Sequence, residues 1–199
     1  MLKHLYLHSH FEHILDHSVI IDDFRDIRFR VASGQDQNDI IDVINSVTDE
    51  LKYLQTDRYV PTPRWERLLV EGKDVEMGLL LIAIVNQETV IGFARLYPDD
   101  EHPLGRRAGN IGIALLPSFR SMGIGAIILE VLVACAVELD YDVLTANILE
   151  SNIRSRKLFS RLGFRRVGFR SIYLDFLCEH VHELCYELAL SPSWEAKAS

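Results

Sequence analysis

The chain lacks any uninterrupted apolar run of about 18 residues, the length a helix needs to cross a bilayer. The longest candidate, 123–139, is broken by Glu130 and Glu138. Cysteine is scarce: Cys135, Cys178 and Cys185 are too few and too odd in number for a disulfide framework, and no C-x-x-C pair occurs. A reducing, cytoplasmic setting is the expectation. The first 17 residues carry histidines and acids rather than a basic end followed by an apolar core, so they do not read as a secretory signal. Positive charge is also short. The 21 Lys and Arg face 29 Asp and Glu, for a net charge of −8, which opposes generic nucleic-acid binding, where many cations must neutralise phosphates. Two phosphate-binding patterns are missing as well. Gly125 is followed by Ala-Ile-Ile, which rules out G-x-G-x-x-G, and there is no G-x-x-x-x-G-K-[ST].

What remains is a globular balance: 199 residues, 48% hydrophobic and 25% charged. Length and composition favour one domain, expected over residues 25–190. A histidine-rich, partly helical extension over 1–24 precedes it, and a frayed tail over 191–199 follows. Five of the eight histidines (His4, His8, His10, His13, His17) lie in that extension. The i,i+4 pairs His4/His8 and His13/His17 can share a helix face, but no Cys or carboxylate is organised around them, so no metal site is expected. His180 and His182 alternate along a strand and share one face.

Apolar periodicity orders the domain. Ile27–Ala32 alternates as a strand. Asp36 or Asn38 is placed to cap a helix carrying Ile40, Ile41, Val43, Ile44 and Val47. A polar loop over 49–63 leads to a short helix from Trp65. Leu79–Val85 and Thr89–Tyr97 form a hairpin about Asn86-Gln87. Asn110–Leu116 is a strand ended by Pro117. Ile124, Ile127, Ile128, Val131, Leu132 and Cys135 mark one stripe of a long helix. Asp142–Ile148 is a strand, Asn152–Leu162 a helix ended by Gly163, and Arg165–Tyr173 and His180–Leu188 are the last strands. The order β-α-α-β-β-β-α-β-α-β-β predicts an α/β (α+β) fold with a mixed, mostly antiparallel sheet of six to seven strands flanked by helices.

Charge is unevenly spread. Residues 154–170 hold seven cations (Arg154, Arg156, Lys157, Arg161, Arg165, Arg166, Arg170) and no acid, leaving 14 cations and all 29 acids to the rest. Upstream of this segment, at the start of the long helix, lies Leu115-Leu-Pro-Ser-Phe-Arg-Ser-Met-Gly-Ile-Gly-Ala126, a strand end, an Arg-bearing loop and glycines opening a helix. Unpaired N–H groups and partial positive charge at a helix start suit an anion, and glycine lets a ligand approach the backbone. Arg120 adds a fork of donors.

Arg120-x-x-Gly123-x-Gly125-Ala126 resembles the acetyl-CoA loop of the GNAT N-acetyltransferase superfamily, Gln/Arg-x-x-Gly-x-Gly/Ala. Leu115-x-Pro117 sits where that family ends a strand. Asn152-Ile-Arg-Ser-Arg-Lys-Leu-Phe-Ser-Arg-Leu-Gly-Phe164 resembles its second block, Asn-x-x-(Ala/Ser)-x-x-Leu-Tyr-x-x-x-Gly-Phe. The resemblance spans roughly residues 27–188. It implies a cytoplasmic enzyme that moves acetyl from acetyl-CoA to a primary amine (small molecule, polyamine or peptide N-terminus) by direct attack. It implies splayed strands at Asn110–Leu116 and Asp142–Ile148, with the pantetheine arm along Ile113, Ala114 and Leu115 and the Leu115 amide polarising the thioester. Amides of Ser121, Met122, Gly123, Ile124, Gly125 and Ala126 would hold the pyrophosphate, with Asn152, Leu158 and Phe159 along the channel and Arg154, Arg156 or Lys157 at the phosphates. No membrane or nucleic-acid partner is implied, and a homodimer is compatible with it.

Three departures stand out. Ser121 occupies a place where glycine is common. Phe159 replaces a tyrosine that protonates the leaving thiolate in many members. The strand 110–116 lacks the glutamate that many members use as base. Asp99 and Glu150 are the candidate bases and Tyr173 the candidate acid, with Tyr53 and Tyr59 shaping the acceptor side. A non-catalytic acyl-CoA-binding sensor is the alternative reading, and transfer of a larger acyl group another.

Overall fold

The computed structural model describes residues 17–22, 25–102, 104 and 107–190. Nine strands form one sheet: β1 (His17–Asp22), β2 (Arg25–Val31), β3 (Lys73–Asp74), β4 (Leu79–Asn86), β5 (Thr89–Pro98), β6 (Ala108–Leu115), β7 (Val143–Leu149), β8 (Arg165–Leu174) and β9 (Glu179–Ala189). The helices are α1 (Gln37–Thr48), α2 (Pro63–Glu71), α3 (Ile124–Glu138) and α4 (Ile153–Arg161). Strand order is β1-β2-β4-β5-β6-β7-β9-β8, with β3 beside β4. Every pairing is antiparallel except β6 with β7. The mixed, mostly antiparallel architecture is the expected one, with two strands more than the sequence pattern indicated. The two-residue β3 is too short for any periodicity. β1 falls within the extension expected to be partly helical, yet its Val-Ile-Ile run is a β-former and pairs antiparallel with β2. His4, His8, His10, His13 and the 191–199 tail lie outside the described residues.

The apolar patterns explain the layering. β4 is buried along nearly its full length because both sheet faces are covered. On one face, Ile27, Phe29, Ile82, Ile84 and Leu96 pack against Ile128, Leu129 and Leu132 of α3 and Phe159 of α4. On the other, Leu81, Ala83 and Phe93 meet Ile40, Val43, Ile44 and Val47 of α1 and Leu68 and Leu69 of α2. α2 starts where Thr62 Oγ1 accepts from Trp65 N–H at 3.2 Å, with Pro63 in its first turn. Among the described residues, no helix is long and apolar enough to cross a membrane.

Asp36 precedes α1 but does not cap it with its side chain. Its carboxylate accepts instead from Arg30 (2.7 and 2.6 Å), from Ser33 N–H (2.8 Å) and from Ser33 Oγ (3.0 Å). Burial pushes its pKa up, but the Arg30 and Ser33 donors outweigh that and hold it below the ordinary value of 3.8. A depressed carboxylate contributes stability above its unfolded pKa, lost as pH falls through the folded one. Asp36→Asn is therefore expected to cost about 1–3 kcal/mol at neutral pH. Urea titrations should show the gap from the parent chain closing below about pH 4.

Candidate active site

The parallel ladder between β6 and β7 pairs only Ala108, Gly109 and Asn110 with Val143, Leu144 and Thr145. β5 holds β6 from Gly109 to Leu115, and β9 holds β7 from Val143 to Leu149. Beyond Asn110 and Thr145 the two strands part, each kept straight by its outer neighbour. Leu116 N–H donates to Ile91 O at 2.9 Å. Alternation along the strand then turns the N–H groups of Ile113 and Leu115 the opposite way, into the gap.

Two cavities meet there. The smaller, 430 Å³, is lined by Arg120, Ser121, Gly123, Gly125 and Ala126 on one side and by Arg154, Lys157, Leu158 and Arg161 on the other. The larger, 560 Å³, runs from the gap under α1, the 53–62 loop and α2 to the charged turn after β5. Tyr53, Ile113, Ala114, Asn152, Ser155 and Phe159 line both. A ligand entering along the smaller cavity would thus present its far end to a molecule in the larger one.

The smaller cavity fits an anionic nucleotide. No side chain caps the start of α3, leaving amide donors there. Gly123 has φ 86°, and Ser121 has φ 65°, a left-handed conformation that glycine adopts more readily. The serine departure is therefore real in backbone terms. A Cβ on Gly125 would come within 3.2 Å of Leu158 Cδ2, so glycine lets α3 and α4 approach. Arg154, Lys157 and Arg161 share the cavity wall, one stripe of α4. Arg156 does not line it and donates to Glu150 O at 2.9 Å. Met122 in this loop and Ile124 at the first position of α3 line neither cavity.

Arg120 serves differently from the expectation. Its guanidinium already donates to Leu115 O (2.8 Å) and, through both terminal nitrogens, to Glu50 (3.0 and 2.6 Å). It also lies 5.0 Å from the Tyr53 ring centre. Arg120 thus clamps the 49–62 loop over the junction and directs the β6 carbonyl, rather than offering a free fork to phosphate. The same loop is tied by Tyr59 N–H to Asn45 Oδ1 (2.8 Å) and by Ser151 Oγ to Lys52 O (3.3 Å). Asn152 likewise spends its Oδ1 on Ser155 N–H at 3.0 Å, capping α4.

Of the three candidate acid–base residues, only Asp99 lines a cavity. Its carboxylate accepts from Thr145 Oγ1 at 2.6 Å and from Glu101 N–H at 3.2 Å. Glu150 sits on the surface beside His182 Nδ1 at 3.2 Å, and Tyr173 is exposed on the outermost strand against His180. Neither lines either cavity, although Arg170 of β8 and Ile148 and Leu149 at the end of β7 do. Phe159 is buried edge-on against Phe164, while the hydroxyl-bearing Tyr53 and Ser155 stand at the junction. Cys135 is buried in the core, and burial, with Glu138, pushes its thiol up to about 12, so it stays protonated.

Sequence reasoning missed Glu50, Arg95, Arg170 and Glu183. Arg95 lines the larger cavity and donates to Asn110 Oδ1 at 3.0 Å, while Asn110 Nδ2 donates to Thr145 Oγ1 at 3.1 Å. This chain ends on Asp99. Glu183 is fully buried under Arg170, and its Oε1 has no partner among the described residues. The available signal was a charged residue at an inward position of an apolar strand.

A family model described as "Acetyltransferase (GNAT) family" matches residues 42–164, and the chain belongs to that family. Among solved structures, an N-acetyltransferase from Staphylococcus aureus Mu50 superposes with TM-score 0.73 at 22% identity, covering 83% of this chain and 99% of that one. The ribosomal-protein-alanine N-acetyltransferase from Brucella melitensis gives 0.71 at 20%, over 81% and 99%. The protein yncA from Salmonella typhimurium, solved with its cofactor acetyl-CoA, gives 0.70 at 19%, over 83% and 95%. At these identities the likeness is one of fold. No curated protein matches the sequence.

Arg120→Lys keeps the charge but loses the fork. Unfolding free energy in urea is expected to drop by about 1–3 kcal/mol, and amide exchange should quicken across residues 49–59.

Proposed function

We propose that this chain is an acetyl-CoA-dependent N-acetyltransferase whose acceptor is a primary amine on a small molecule, polyamine or peptide N-terminus. The observation that carries this reading is the gap between β6 and β7, where a cation-rich cavity and a larger cavity meet at open backbone amides. Acetyl-CoA would supply an activated thioester. The α3 start, Arg154, Lys157 and Arg161 suit its phosphates. The N–H groups of Ile113 and Leu115 suit its pantetheine arm and its thioester oxygen, where charge develops as the amine attacks.

Direct transfer is the route we favour, since Cys135 is buried and protonated and no cysteine lines either cavity. The amine nitrogen bonds the acetyl carbon, the carbon–sulfur bond breaks, and the proton shed by nitrogen is replaced at sulfur from solvent or a nearby hydroxyl. We assign Asp99 the draw on the incoming ammonium and, through cavity water, the proton it loses. We assign Tyr53 and Ser155 the hydroxyls that make good the absence of one on Phe159. Holding both reactants at the junction is the main contribution, an orientation effect of several kcal/mol.

CoA release, followed with a thiol reagent across amines, polyamines and peptides, tests the reading. Turnover with at least one acceptor is expected, and binding of acetyl-CoA without turnover by any would instead favour a sensor, the reading that Phe159 supports. Gly125→Glu should weaken acetyl-CoA binding by about tenfold or more, as a carboxylate meets phosphate beside Leu158. Asp99→Asn should lower kcat/KM by about 10- to 100-fold, and a Tyr53→Phe/Ser155→Ala double variant should lower kcat by about tenfold.

A further inference from the structure

The larger cavity carries four arginines, and three of them have carboxylate partners. Arg64 pairs with Asp100, Arg170 with Glu101 and Glu183, and Arg58 with Asp57 at 3.6 Å. Arg95 has none among the described residues. Its guanidinium lies 4.2 Å from the Tyr97 ring centre and, among the described residues, makes a single hydrogen bond, to the neutral Asn110. It rests over Gly112, its cross-strand partner on β6, where a Cβ would fall 3.0 Å from Nε and 3.2 Å from one terminal nitrogen. The strand is thus relieved of a side chain where the guanidinium lies flat. Removal from bulk water pushes the Arg95 pKa down, Tyr97 opposes that shift, and Arg64 adds to it. A cation held this way without an anion is costly unless a ligand supplies one.

Gly112 is one residue from Ile113 and three from Leu115, about 3 to 10 Å along the strand. An anion on Arg95 would therefore sit beside the open amides that suit the thioester. We propose that Arg95 receives a carboxylate carried by the acceptor, making the acceptor a free amino acid rather than a simple amine or a peptide N-terminus. The guanidinium fork matches a carboxylate in two parallel hydrogen bonds. One or two carbons between carboxylate and amine bring the nucleophile to the junction. Trp65, edge-on to both Tyr59 and Phe93, offers the side chain of such an acceptor an apolar wall.

This assignment rests on the acetyltransferase reading, but its test separates the two. Matched pairs differing only in the carboxylate are used: alanine with ethylamine, methionine with 3-(methylthio)propylamine, and phenylalanine with 2-phenylethylamine. Each is titrated calorimetrically into the full chain with CoA present and assayed for CoA release from acetyl-CoA. At least one amino acid should outperform its amine by about tenfold or more. That preference should collapse in Arg95→Gln and return only in part in Arg95→Lys, which lacks the fork. Gly112→Ala, a milder change, should narrow it by crowding the guanidinium. Preferential binding of an amino acid with no CoA release keeps Arg95 as the carboxylate site and defeats the transferase reading. Equal use of both members of every pair, no binding by any amino acid, or a preference untouched in the Arg95 and Gly112 variants overturns the proposal.

Discussion

Three residue pairs are all that join β6 to β7, and the site follows from that short ladder. Strand edges inside a protein carry unpaired amides that need partners. Here the exposed stretch is tolerable because β5 and β9 fix each strand from outside, so the gap is a built feature of a rigid sheet. The chain Arg95–Asn110–Thr145–Asp99 crosses the point of divergence. It satisfies the buried Asn110 and Thr145 side chains just where the backbone pairing stops.

The acidic protein with one basic segment resolves into separate local balances. α4 turns Arg154, Lys157 and Arg161 toward the smaller cavity, while Arg170, farther along the same basic run, crosses to the larger one and neutralises Glu183 and Glu101. Net charge therefore says little about either cavity: the smaller is lined by cations without an acid, while three of the four guanidiniums of the larger meet carboxylates. What distinguishes the larger cavity is the guanidinium left over, that of Arg95.

Much of this was legible beforehand. β4 to β9 and all four helices lie within a few residues of their periodic signals, because each buries a face whose period matches its element. The two ordered motifs located the α3 loop and α4. Elements whose existence depends on a neighbour were not legible. β1 is a strand because β2 offers an edge, and β3 is two residues long. Glu50 is 70 residues from Arg120, and no local pattern connects them. The weak acid–base candidates fared according to where the sheet put them: Asp99 faces a cavity, whereas Glu150 and Tyr173 end on the outer surface.

The sequence by itself determined the layered fold, the family and the glycine-bearing, uncapped start of α3, since these rest on periodicity and on residues close together in the chain. Only the tertiary structure decided that Arg120 is spent on Glu50 and Leu115, that Asn152 caps its own helix, and that Arg95, over Gly112, meets no carboxylate among the described residues. Those outcomes depend on which donors meet which acceptors across strands and loops far apart in sequence, and a charged side chain's role is set by the partner it finds, not by its type.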